Sequence, residues 1–157
     1  MGNKTKILVI DDEIDFCMLM KANLEETGEF EVVFSDKPKE AEDLTEQEKP
    51  DVILLDNVMP QRKGSEIVEG IRKRPAIKDI PIIMVSGRGE MVYDKNKDQF
   101  RWRPDNPVVR DRGDIVEGKN YKNLSEIYGV DDYISKPFTT DILVQVIDEV
   151  LGKKRGG

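Results

Sequence analysis

The sequence predicts a single α/β domain built on a parallel sheet wound on both faces by helices. Two observations carry that expectation. Short, nearly continuous apolar runs recur along the chain, as strands buried on both faces require, and amphipathic segments closed by Gly or Pro lie between them. Such alternation implies right-handed crossovers, and it puts any ligand site at the carboxyl ends of the strands, where the loops diverge.

The run Lys6–Ile10 (KILVI) is the first strand. Ile14, Met18, Leu19 and Leu24 then mark the inner stripe of a helix over about 13–27, and Gly28 supplies the left-handed stop expected just past its end. Glu31–Phe34 is the second strand. Asp36 is placed to cap a second helix that starts at Pro38, where the missing amide is harmless, and Pro50 closes that unit. Asp51–Leu55 is the third strand, followed by a helix over 64–74 with Ile67, Val68 and Ile71 inward and Pro75 beyond it. Ile80–Val85 and Asp132–Ile134 are the last two strands. Thr139 or Thr140 caps a final helix over 141–151, with Ile142, Leu143, Val146, Ile147 and Val150 on its inner side.

Composition narrows the chemistry. The 157 residues fit one domain, and the balance of 38% hydrophobic and 36% charged residues is that of a soluble globular chain. No apolar stretch approaches the roughly 20 residues needed to cross a bilayer, and the start is polar, so a cytoplasmic protein with no membrane partner is expected. The single Cys17 lies among apolar neighbours and reads as a buried thiol. With no histidine in the chain, Ser-His-Asp hydrolysis and histidine-ligated metals are excluded. A net charge of −7 disfavours direct nucleic-acid binding.

The strand ends bring polar residues to one rim. Asp11 and Asp12 follow the first strand, Asp56 the third, Ser86 the fourth and Lys136 the fifth. Three carboxylates at one edge repel one another unless a divalent cation or an ammonium neutralises them. A hard oxygen site with open positions suits Mg2+ better than calcium or zinc. Capping of the first helix by Asp11 or Asp12 would explain those two residues, but not Asp56, Ser86 and Lys136 on the same edge.

Asp11-Asp12, the run DNVMP at 56–60 with Gly64, Ser86-Gly87, and DDYISKPF at 131–138 together resemble the ordered signature of response regulator receiver domains in two-component signalling. The resemblance implies a flavodoxin-like sheet of five parallel strands in the order 2-1-3-4-5. It implies that Asp56 takes a phosphoryl group from a sensor histidine kinase or phosphotransfer protein. Asp12 and Asp56 would bind Mg2+ directly, Asp11 would do so through water, and the Val58 backbone carbonyl would add a ligand. Lys136, with Pro137 beside it, and Ser86 would engage phosphoryl oxygens. Ser86 and Tyr133 would form the switch that passes the change to a downstream protein target. The surface of the family's helix four, strand five and helix five would carry that output, and it also allows a homodimer. The chain would thus be a phosphoacceptor rather than an enzyme. An aspartyl phosphatase of the haloacid dehalogenase kind would need a second carboxylate where Val58 stands, and a phosphorylation-independent receiver-like module would be expected to lack part of the rim.

The chain departs from the pattern between Ser86 and Lys136, which lie too far apart. The domain is expected over 4–152, with an insertion near 88–121 and a flexible basic tail at 153–157. The insertion interleaves Tyr93, Phe100 and Trp102 with Lys95, Lys97, Arg101 and Arg103. It reads either as a hairpin, Met91–Tyr93 against Gln99–Arg103, or as a mobile loop, and its aromatics and arginines suit either a surface that selects a kinase or target or a decorated loop whose aromatics pack back on the domain. Asp94, Asn96 and Asp98 mimic the start of a calcium loop, but Gln99 and Asp105 replace the required glycine and glutamate. With the last predicted helix ending near Leu151, output by protein contact or onward phosphotransfer is expected, unless the sequence is a piece of a longer chain.

Overall fold

A computed structural model describes residues 3–57, 59–86, 90–94, 99–103, 129–136 and 138–156, with the backbone alone at 86, 90–94, 99–103, 135 and 153–156. The elements run β1 (Thr5–Ile10), α1 (Ile14–Glu26), β2 (Phe30–Ser35), a 3-10 turn (Pro38–Glu40), α2 (Ala41–Glu48), β3 (Val52–Asp56), α3 (Gly64–Arg72), β4 (Ile82–Ser86), β5 (Glu90–Asp94), β6 (Gln99–Arg103), β7 (Asp132–Ser135) and α4 (Thr140–Gly156). Five strands form the main sheet in the order β2-β1-β3-β4-β7, all parallel. This is the expected 2-1-3-4-5 order, with β7 as its fifth strand. β5 and β6 stand apart as an antiparallel hairpin, Glu90 opposite Arg103 and Asp94 opposite Gln99. The hairpin reading of the inserted stretch therefore holds for these residues, and the rest of 88–121 lies outside the described residues.

Strand parity divides the core. Leu8, Ile10, Ile53, Leu55 and Met84 point to one face and pack with Ile67, Val68 and Ile71 of α3. Ile7, Val9, Val52, Leu54, Ile83 and Val85 point to the other, against Cys17, Met20 and Leu24 of α1 and Leu143, Val146, Ile147 and Val150 of α4. β3 is buried along its whole length, as a central strand covered on both faces must be.

Three local expectations are corrected. In α1 the inner stripe is Cys17, Met20 and Leu24, whereas Ile14, Met18 and Leu19 are 42%, 56% and 53% exposed. Apolar residues surround this helix, so hydropathy alone does not choose a face. Asp36 caps nothing: Lys37 precedes the 3-10 turn, Glu40 precedes α2, and neither makes a side-chain cap. The last helix is longer than expected and continues to Gly156. Thr139 is its capping residue, its hydroxyl accepting the Ile142 amide at 3.2 Å.

Candidate phosphoacceptor site

The register of the sheet builds the rim. Ile10 pairs with Leu55, Asp56 with Val85, and Ser86 with Ser135, so the residues that follow β1, end β3 and β4, and follow β7 emerge side by side. Backbone hydrogen bonds carry the pairing past the strand ends: the Asp11 amide donates to Ser35 O at 3.1 Å and the Asn57 amide to Val85 O at 2.8 Å. Gly64 lets the first turn of α3 close on the end of β3. A Cβ there would stand 2.7 Å from Asp56 O and 3.0 Å from Asn57 Cα, inside contact distance with backbone that cannot yield.

Asp11, Asp12 and Asp56 converge, each offering a carboxylate oxygen within 4.8 Å of the others. Asp11 and Asp56 are buried and Asp12 is the more exposed. Burial raises the Asp11 pKa, partly countered by the Glu13 amide, which donates to Asp11 Oδ1 at 2.9 Å, and by Lys136. Asp11 thus shapes the turn that leads into α1 without capping it, since Glu13 is the N-cap position and no side chain caps the helix, and it faces the rim as well.

Lys136 reaches in from the end of β7. Its ammonium lies 3.0 Å from Asp11 Oδ2 and 3.1 Å from Glu13 Oε1, and 3.8 Å from the centroid of the Phe16 ring. Burial opposes its charge, but attraction to Asp11, hydrogen bonds to Asp11 and Glu13 and the field of Asp56 outweigh that, and its pKa is raised. The ammonium is therefore a fixed positive charge at any physiological pH. Glu13 and Phe16 were not legible as site residues, because neither belongs to a motif.

Tyr133 is buried on the α3 side of the sheet among Val68, Ile71 and Met84. Ser86 closes β4 one residue beyond Val85, the partner of Asp56. The Ser86 hydroxyl, the Val58 carbonyl and Pro137 lie outside the described residues. Cys17 is buried with its thiol pushed up to about 12, chiefly by that burial, so it is inert as a nucleophile.

The donor set fits a hard divalent cation. It is all oxygen, it carries more negative charge than Lys136 balances, and one side is open at Asp12. With Mg2+ bound, the metal would supply Lewis-acid stabilisation of phosphoryl oxygens. The chain's own part is to hold three carboxylates together on rigid strand ends, and to keep an ammonium beside them.

Comparison with known proteins agrees with this geometry. The family described as Response regulator receiver domain matches residues 7–98. The phosphate regulon transcriptional regulatory protein PhoB of Rhizobium meliloti is 30% identical over 150 residues, covering 96% of this chain and 53% of its own length. The chemotaxis protein CheY homolog of Campylobacter jejuni is 30% identical over 152 residues, covering 96% of this chain and 95% of its own. The chain spans about half the length of the PhoB relative and of a probable transcriptional regulator, ycf27, of Guillardia theta. Among solved structures, chemotaxis protein CheY4 of Vibrio cholerae superposes with a TM-score of 0.69 at 22% identity, over 94% of this chain and 99% of that one. Parallel order, converging carboxylates and sequence relatives agree: the chain belongs to the response regulator receiver domain family, phosphoacceptor modules of two-component signalling rather than conventional enzymes.

Proposed function

We propose that Asp56 is the residue that accepts the phosphoryl group, with Mg2+ held by Asp12 and Asp56 directly, by Asp11 through water and by the Val58 carbonyl. The observation that carries this reading is the convergence of three carboxylates within 4.8 Å at the end of a fully buried central strand. Phosphoryl transfer depends on positioned charge around the equatorial oxygens more than on covalent help from the protein. Lys136 is the ammonium that meets a phosphoryl oxygen, and the Ser86 hydroxyl meets another. Tyr133, one strand away and buried, is the packing partner through which the switch reaches the output surface.

The donor is a sensor histidine kinase or a phosphotransfer protein in the cytoplasm. It docks where α1 turns Ile14, Met18 and Leu19 to solvent just after the acidic pair, an apolar patch beside the acceptor. Among the described residues no helix is long and apolar enough to cross a membrane. The output is a protein target, reached through the family's helix four, strand five and helix five surface, which also offers a homodimer contact. The domain extends over 4–152, with the insertion helping to select the partner. The deciding experiment is incubation with acetyl phosphate and Mg2+ followed by intact mass measurement. One phosphoryl adduct on the wild type and none on Asp56→Ala is expected. An adduct that survives Asp56→Ala, or none on either protein, refutes the assignment.

A further inference from the structure

Lys136 is held by more than the carboxylate next to the acceptor. An ammonium has three donors and no preferred plane, so it settles where several acceptors surround it. Here Asp11 Oδ2 takes one side at 3.0 Å, Glu13 Oε1 another at 3.1 Å, and the face of Phe16 closes the third, 3.8 Å from Nζ to the ring centroid. Phe138 stands edge-on to Phe16, centroids 6.1 Å apart and planes at 86°, which fixes the ring that the ammonium sits on. Both rings pack on the α1/α4 side of the core; α1 delivers Phe16, and Lys136 and Phe138 follow β7. Glu13 is two-thirds exposed and its ion pair is screened by water, whereas the attraction of a ring face for a partly desolvated cation is not replaced by solvent.

We propose that Phe16, seconded by Glu13, is a positioning residue: together they form a resting berth for the Lys136 ammonium, which it must leave to meet the phosphoryl group. The inference rests on the reading of Asp56 as the acceptor. The berth keeps the charge within reach of the rim when Asp11 is drawn to the metal, and it stabilises the unphosphorylated state relative to the phosphorylated one. Weakening the berth therefore strengthens capture of the phosphoryl group, opposite to the effect of simple damage to the site.

The test uses the whole chain with Mg2+ and beryllofluoride, a mimic of the phosphoryl group. Phe16→Leu is expected to bind beryllofluoride roughly two- to fivefold more tightly than wild type, the range set by the usual strength of a cation–π contact at a partly exposed site. Phe16→Tyr should match wild type, and Glu13→Gln should bind more tightly by a smaller factor. Trifluorophenylalanine at position 16 keeps the ring and drains charge from its face, so it should fall between wild type and Phe16→Leu even if the leucine variant folds poorly. In NMR spectra of lysine ammonium groups, the Lys136 signal should carry a ring-current shift in wild type and Phe16→Tyr, lose it in Phe16→Leu, and lose it in wild type once beryllofluoride binds. Equal or weaker beryllofluoride binding by both Phe16→Leu and the trifluoro protein overturns the berth, as does a Lys136 signal that ignores the ring. Wild type that takes no phosphoryl group from acetyl phosphate would instead overturn the assignment of Asp56, while the ammonium shift reports the resting berth independently.

Discussion

Arg62 lies in the loop between β3 and α3 and closes a two-pronged fork on Glu42 of α2, while also donating to Pro38 O at 3.3 Å. The side chains are only 23% and 11% exposed. Removing the guanidinium by Arg62→Met leaves a nearly buried carboxylate without its partner. Such a loss costs about 3–5 kcal/mol in a fully buried site and about 0–1 kcal/mol at a surface. The partial exposure puts this pair between them, at roughly 2 kcal/mol, or a fall in Tm of about 4–8 °C for a chain of this size. Gly70 provides an internal control. A Cβ on it would overlap Glu42 Oε2, so Gly70→Ala must push the carboxylate out of the fork. Alanine in a helix otherwise gains about 1 kcal/mol over glycine. Gly70→Ala is therefore expected to destabilise the wild type by about 1 kcal/mol net and to stabilise the Glu42→Ala/Arg62→Met double variant by about the same amount. Urea unfolding followed by circular dichroism measures both. The same sign in the two backgrounds refutes the reasoning, because the clash and the fork would then be independent.

The fork also sets a pH signature. Burial pushes Glu42 upward, but Arg62 outweighs it and holds the carboxyl below its ordinary 4.5. A depressed folded pKa contributes stability that is complete above the unfolded value and is lost as pH falls through the folded one. The Tm gap between wild type and Glu42→Gln should thus be constant from about pH 6 to 8 and shrink below 4.5; a gap that widens in acid contradicts the assignment. Leu55→Ala, within the buried central strand, should cost about 2–5 kcal/mol in the same urea assay, and a loss under 1 kcal/mol would mean that the strand is not the packed centre described. Val58 is apolar two residues after the proposed acceptor, so Val58→Asn, able to position a water, should shorten the phosphoryl lifetime measured by intact mass after removal of acetyl phosphate. Equal decay would exclude that role for the position. Replacing 91–117 by a short linker should weaken binding of the partner kinase while leaving acetyl phosphate labelling intact, and unchanged affinity would remove the insertion from partner choice.

The sheet was legible because its evidence is redundant: five apolar runs, each closed by turn residues, leave few alternative strand sets. The rim was legible for a related reason, since each of its residues directly ends or follows a strand, where a parallel sheet must place it. The orientation of α1 was not. Ile14, Phe16, Cys17, Met18, Leu19, Met20 and Leu24 offer apolar side chains around much of its circumference, and only packing selects Cys17, Met20 and Leu24 for the core. Nor was the Glu42–Arg62 fork, or the grip of Glu13 and Phe16 on Lys136. These pairs join residues 20 to more than 100 positions apart with no spacing rule to announce them. Asp36 failed as a cap because a 3-10 turn intervenes before α2, and its start shifts past the residue that would have served.

The carboxylate cluster lies at strand ends of the main sheet, and the inserted hairpin forms a sheet of its own. The carboxylates sit at strand ends stitched by backbone hydrogen bonds, beside a glycine that admits no side chain. The hairpin of β5 and β6 enters after β4 without joining the main sheet, so its sequence is free to vary without shifting Asp56. That separation lets an acidic cluster at the sheet edge and a long departure from the family pattern occur in one chain. Substitutions at Gly64 or Asp11 act on the carboxylate cluster itself, whereas the hairpin lies in a separate sheet.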